Sequence, residues 1–241
     1  MKDNSFLHFM KQFQMKLSTN VYTPLLGKTD PKHIAFLRNL EKEMEIEKSL
    51  TIPLKDLHVV VFDMETTGFS PEHGDQILSI GAVKMRETAN DTFYSLVRFD
   101  GQLTPAVKEL TGLDEAELKT APSLSDVLIR FYEFVQTDTL VAHHATHEKK
   151  FLQHANWKIF RKPYKHRIID TSLVLKLIDP SLKLVSLDDY CEYFEVEVRE
   201  RHHALGDAQM TAQLWSKFVC QMNEIQCHTL MDVYDQLAKM K

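Results

Sequence analysis

No apolar run in these 241 residues is long enough to cross a bilayer, so no transmembrane helix is expected. Met1 to Leu17 is apolar only periodically, with Lys11 and Lys16 interrupting, and lacks the pattern of a signal peptide. Cysteine is scarce: Cys191, Cys220 and Cys227 are odd in number and without metal-type spacing. They read as reduced cytosolic thiols, which excludes a disulfide framework and points to a cytoplasmic protein. Basic charge is in deficit, with 29 Lys and Arg against 34 Asp and Glu and a net charge of −5. That balance does not announce a nucleic-acid binder. There is no internal repeat and no low-complexity segment. What is present, 44% hydrophobic and 26% charged residues, is ordinary for a globular chain. Such a length suits one large domain, or a mid-sized domain with an appendage.

The pattern changes near residue 56. Before it, Phe6, Leu7, Phe9, Met10 and Phe13 follow helical spacing. A second helix is expected from Asp30-Pro31, an N-cap followed by proline, with Ile34, Leu37, Leu40 and Met44 as its apolar stripe. Residues 1–55 thus read as a helical extension, which packs on its parent domain or meets a protein partner. From residue 56 to 241, strands are expected at His58–Glu65, Gln76–Met85 and Thr92–Phe99, joined by short connections and therefore antiparallel. Helices follow at Thr104–Leu110 and Ser123–Val135. Short strands at Leu140–His143 and Arg167–Asp170 then alternate with helices from His147, over Thr171–Leu177 and over Ser186–Phe194. Long helices close the chain, at Leu205–Met222 and Met231–Met240. The fold class is α/β: a three-strand antiparallel meander plus parallel strands in one mixed sheet, flanked by helices.

Chemistry concentrates at the end of the first strand, Val59-Val60-Val61-Phe62-Asp63-Met64-Glu65-Thr66-Thr67-Gly68. Alternate residues of a strand leave one face, so Asp63 and Glu65 converge on one spot. Two carboxylates forced together repel, and burial worsens the conflict. A divalent cation removes it, and oxygen ligands suit Mg²⁺ or Mn²⁺. A second cluster runs Leu140-Val141-Ala142-His143-His144-Ala145-Thr146-His147-Glu148. Here Glu148, in the first turn of a helix, can face the same open sheet end. In a third, Arg201-His202-His203-Ala204-Leu205-Gly206-Asp207, a loop histidine and an early helical aspartate can share a cavity. Carboxylates with an imidazole are equipment for activating water at neutral pH.

Together these clusters resemble the DEDDh family of 3′–5′ exonucleases, the DnaQ-like group with a ribonuclease H-like fold. The family's Asp-x-Glu-Thr-Thr-Gly is matched by Asp63 to Gly68, and its His-x-Ala-x-x-Asp by His202, Ala204 and Asp207. Leu110-Thr111-Gly112-Leu113, Ala121-Pro122 and Asp170-Thr171 agree in order, so the resemblance covers about residues 57–222. The middle motif departs from the family's His-Asn-Ala-x-Phe-Asp. His144 stands at the asparagine position, His147 at the aromatic and Glu148 at the aspartate. The added methylene of Glu148 predicts altered metal preference rather than inactivity.

The resemblance implies two divalent ions, Mg²⁺ or Mn²⁺. Asp63 would bridge both, Glu65 and Asp207 would bind one, Glu148 would complete the set, and His202 would be general base. It implies release of nucleoside 5′-monophosphates from the 3′ end of single-stranded or 3′-terminal DNA, or of RNA. It further implies nucleic-acid contacts from Thr66, at the terminal 3′-hydroxyl, from Phe69 and Leu110 against the last bases, and from His143. The basic stretches near Lys162 and Arg201 are expected along the phosphates. Two other roles fit the same residues: a catalytically weak nucleic-acid-binding module, suggested by Glu148, and the proofreading subunit of a DNA polymerase.

Overall fold

The computed structural model describes residues 31–46, 49–85, 91–181 and 184–240. The helix expected around Phe6 to Phe13 lies outside the described residues. The helix expected from Asp30-Pro31 spans Pro31–Ile46 (α1). The sheet is built from Val59–Thr66 (β1), Ile77–Lys84 (β2), Asp91–Leu96 (β3), Thr139–Ala142 (β4) and Ile168–Asp170 (β5). Its order is β3-β2-β1-β4-β5. The meander β1–β2–β3 is antiparallel, as short connections dictate, whereas β4 and β5 join β1 in parallel. This is the expected ribonuclease H-like mixed sheet, with β1 at its centre.

Side chains on β1 divide strictly between two cores. Val59 and Val61 pack with the helix Ala204–Glu224 (α8), with Leu187–Tyr193 (α7) and with Leu230–Lys239 (α9). Val60, Phe62 and Met64 face the opposite layer, where Leu124–Val135 (α4) and Thr146–Phe160 (α5) pack. Because the period is two, Asp63 and Glu65 continue the row of Val59 and Val61 on the α8 face. The strand is therefore apolar where it is covered and acidic only where it emerges.

Three short helices complete the layers: Pro105–Thr111 (α2), Glu115–Thr120 (α3) and Thr171–Val174 (α6). Sequence periodicity anticipates α2, and over Thr171–Leu177 it anticipates α6 together with the 3-10 turn Leu175–Leu177, but it does not anticipate α3, whose six residues are too few to show a period. Its signal is chemical instead, since Asp114 caps it by accepting from the Ala116 amide at 2.8 Å. Ahead of β1, Leu37 and Leu40 of α1 are buried in the α4–α5 core, and Leu54 and Leu57 in the α8 core. Leu54 N–H donates to the His228 carbonyl at 2.7 Å and Met231 N–H to that of Leu50 at 3.0 Å, stitching this segment to the start of α9.

Candidate active site

The site forms where β1 leaves the sheet. A register shift between Glu65 and Thr66 ends the regular pairing with β2 just past the two acids. Asp63 stands directly opposite Gly81 of β2. A Cβ on Gly81 would lie 2.2 Å from the Leu205 amide nitrogen and 2.3 Å from the Ala204 carbonyl carbon. Glycine at this position is what lets the first turn of α8 touch the sheet. Asp207, one turn into α8, is thereby brought to the acids of β1. Ligand oxygens of Asp63, Glu65 and Asp207 all lie within 4.8 Å of one another.

Glu148 enters from the other side, in the first turn of α5. It is buried, and its Oε2 has no hydrogen-bond partner. The turn that delivers it is held by Asp170 at the end of β5, whose Oδ1 accepts from the His144 amide at 3.1 Å and the Ser172 amide at 2.9 Å. His144 has a left-handed backbone, φ 54°, and its Nε2 donates to the Val185 carbonyl at 2.5 Å. It is thus a clasp on the turn rather than a free ring.

Crowding of like charges in a desolvated place has its usual effect on acidity. Burial, then the carboxylates of Glu148, Asp207 and Glu65, hold Asp63 well above the ordinary carboxylate range. Burial and Asp207 push Glu65 up to about 7. Burial lifts Glu148 to about 8, with Asp170 and Glu65 adding to it. An orphaned buried oxygen on Glu148, another on Asp207 (Oδ1), and an oxygen-only donor set fit a hard divalent cation such as Mg²⁺ or Mn²⁺.

The turn before α8 carries His202 and His203. His202 is partly exposed and left-handed, φ 59°. His203 caps α8, its Nδ1 accepting from the Gly206 amide at 3.4 Å, and its ring stacks on Tyr94 of β3 with centroids 4.5 Å apart. Arg201 does not reach outward as a phosphate contact would. Its guanidinium donates to Asp188, at 2.7 Å, and to Asp207. The Lys162 stretch is likewise remote, since it follows α5 and Glu148 opens that helix. The length from Glu148 to Phe160 puts roughly 18 Å between them.

The Thr-Thr-Gly turn after β1 is organised by Asp75, which accepts from the Thr67 hydroxyl at 3.0 Å and the Ser70 amide at 2.9 Å. A Cβ on Gly68 would fall 2.4 Å from the Asp75 carboxylate, so glycine is needed for this closure. The turn leaves Phe69 with 81% of its surface exposed. Thr66 donates its hydroxyl to the Gly68 carbonyl at 2.7 Å, and His147 Nε2 therefore donates to that hydroxyl, at 3.2 Å. Leu110 is also exposed, on α2. His143 lies inside the fold, with Nδ1 2.8 Å from the Thr171 hydroxyl and its ring edge-on to Tyr190. Burial, with His144 and Arg201 nearby, lowers it to about 3, so it is neutral.

Sequence reasoning did not single out Gly81, Asp75, Asp188, Tyr94 or His203 as parts of the site. Only Gly81 carried a signal, a glycine inside a buried strand. The others matter through contacts between distant segments.

A mixed α/β sheet whose central strand and two flanking helices bring four acids together defines a class, that of proteins equipped to hold divalent cations at a sheet end. The chain is more particular than that. The family model described as Exonuclease, RNase_T, matches residues 60–215, and the chain belongs to that family of exonuclease enzymes. It is 34% identical over 181 residues to the PolC-type DNA polymerase III of Caldanaerobacter subterraneus subsp. tengcongensis, a match covering 75% of this chain and 13% of that one. It is also 34% identical over 172 residues to a DNA polymerase III subunit epsilon-like protein of Rhodobacter capsulatus, covering 69% of this chain and 24% of the relative. The chain thus spans about an eighth of the PolC-type relative and a quarter of the epsilon-like one. Among solved structures, exonuclease X in complex with 5′-overhanging duplex DNA superposes with a TM-score of 0.57 at 22% identity, covering 74% of this chain and 99% of that one. The nuclease domain of 3′hExo, a DEDDh family member bound to rAMP, gives 0.57 at 19%, covering 71% and 94%. These two likenesses show the shared fold.

The raised acids make a pH prediction. A carboxyl whose folded pKa exceeds its unfolded value stabilises the fold at low pH and loses that contribution as pH climbs through the folded value. For Glu65 and Glu148 the window runs from about 4.5 up to about 7 and 8. We expect the melting temperature of the metal-free protein to fall across this window. The increment produced by Mn²⁺ should grow over the same range, because binding displaces protons. Calorimetry with EDTA or Mn²⁺ at several pH values checks both trends.

Proposed function

We propose that this chain is a 3′–5′ exonuclease that removes nucleoside 5′-monophosphates from the 3′ end of DNA, with RNA as a second substrate. The observation that carries the reading is the convergence of Asp63, Glu65 and Asp207 within 4.8 Å, with the buried Glu148, whose Oε2 has no hydrogen-bond partner, acting on Asp63. In this reading Asp63 would serve both of two cations, Glu65 and Asp207 would bind one, and Glu148 would complete the set. Mg²⁺ or Mn²⁺ held there supplies an acidified water and a counter-charge for the departing 3′ oxygen.

The remaining steps belong to the protein's own groups. His202 takes the proton of the attacking water, and its exposure leaves the ring in contact with solvent to pass that proton on. Thr66 meets the terminal 3′-hydroxyl. Phe69, kept outward by the Asp75 turn, and Leu110 press on the last bases, a contact that tolerates any sequence. An open cleft of about 700 Å³ beside His203, lined by Tyr94, Leu96, Leu113 and Pro122, is in this reading the surface that receives the rest of the strand. His143, expected from the resemblance as a further nucleic-acid contact, is buried against Thr171, and we assign it no direct contact with the strand. We place the chain in the cytoplasm on the strength of its few, scattered cysteines, a setting where the activity suits repair or proofreading. We assign residues 1–55 as an extension and 56–241 as the exonuclease unit, the extension offering a surface for a protein partner.

The test is digestion of a 5′-labelled single-stranded oligonucleotide with Mg²⁺ or Mn²⁺. A ladder shortening from the 3′ end supports the reading, and intact oligonucleotide with measurable binding would favour a binding module. In the same assay Glu148→Asp should stay within about tenfold of wild type, since the charge is kept. Glu148→Ala should lose on the order of 10²-fold, as a lost ligand or a misplacement of about 1 Å does.

A further inference from the structure

One side chain ties the His202 turn to the acids. Arg201 is four-fifths buried; its Nε donates to Asp188 Oδ1 at 2.7 Å, and its Nη1 donates to Asp207 Oδ2. Its neighbours Glu200 and His202 are both left-handed, φ 47° and 59°, a conformation that costs a non-glycine residue and persists only where contacts enforce it. The other oxygen of Asp207, Oδ1, is buried and has no hydrogen-bond partner. One oxygen of this carboxylate is therefore committed to the guanidinium, and the other is left free.

A guanidinium cannot shed its proton, so its charge is permanent and would compete with any divalent cation for Asp207. Asp188 stands where that competition can be tempered. It lies in the first turn of α7, half exposed, outside the cluster formed by Asp63, Glu65 and Asp207. We propose that Asp188 and Arg201 form a positioning pair. Arg201 occupies Oδ2 of Asp207 and leaves Oδ1 for a divalent ion, and Asp188 shares the guanidinium charge so that Asp207 stays available as a ligand. The pairing rests on the metal-site reading given above.

The experiment is titration calorimetry of the intact chain with Mn²⁺, without substrate. Wild type is compared with Asp188→Asn, Arg201→Gln and the double variant, and near-ultraviolet circular dichroism confirms native packing in each. In Asp188→Asn the carboxamide oxygen can still accept from Nε, but the guanidinium charge is balanced by Asp207 alone, and Mn²⁺ affinity should fall about tenfold, at the low end for partners that support a metal ligand. Arg201→Gln removes the competing charge, so affinity should equal or exceed that of wild type. The double variant should match Arg201→Gln, because Asp188 acts only through Arg201. An Asp188→Asn affinity within twofold of wild type would overturn the proposal. So would parallel losses in both single variants, which would mark a structural brace without charge balance. Wild-type protein that takes up no Mn²⁺ would instead bring down the metal site itself, and this pairing with it.

Discussion

Asp63→Ala should lose at least ~10⁴-fold in metal-dependent hydrolysis, about 5.5 kcal/mol of transition-state stabilisation. The loss is large because Asp63 sits at the centre of the acids, with Glu148, Asp207 and Glu65 all acting on it. On the reading proposed above Asp63 would serve both cations, so its removal would cost the site the ligand it can least replace. The same substitution should raise the stability of the metal-free protein at neutral pH. Burial and three neighbouring acids hold the Asp63 carboxyl well above its ordinary range, and an alanine carries none of that conflict. Each kcal/mol relieved corresponds to roughly 2–4 °C in a domain of this size. Opposite signs in activity and in metal-free melting temperature are the signature of a site acid, and turnover equal to wild type would refute the assignment.

Gly81→Val should also be damaging, although the residue offers no functional group. Its Cβ would meet Leu205 N at 2.2 Å and Ala204 C at 2.3 Å, backbone atoms of a helix that cannot swing aside like a side-chain tip. The first turn of α8 must back away from β2, taking Asp207 and the His202 turn with it. A displacement near 1 Å is worth about 10² in rate, and overpacking costs about 1–3 kcal/mol in stability. We expect kcat to fall and Mn²⁺ affinity to weaken together, while the far-ultraviolet spectrum remains native. Wild-type rates in a folded Gly81→Val protein would show that α8 need not touch the sheet for the site to form.

Both effects bear on what can be read from a linear chain. The alternation Val59, Val61, Asp63, Glu65 declared one face and its acidic end, because strand periodicity is a local property. Strand and helix positions were likewise legible, to within a few residues, wherever apolar spacing ran for a turn or more. The α3 helix was too short to declare itself. Arg201 shows a different failure. As a basic residue beside histidines it reads as a phosphate contact, yet it turns inward to Asp207 and Asp188. The Lys162 stretch shows the same gap, since closeness in charge pattern says nothing about which end of α5 faces the site.

What the sequence determined alone was the chemistry available: which acids, which imidazole, in what order, and the strand that carries the first pair. Tertiary structure decided which of these groups meet and how strongly they interact. It set the approach of α8 to β2 over Gly81, the raised pKa of Asp63, Glu65 and Glu148, the enclosure of His143 and the inward turn of Arg201. The division has a simple physical cause. Periodicity and capping depend on neighbours in the chain, whereas desolvation, charge coupling and close backbone approach depend on segments that become neighbours only when the chain folds.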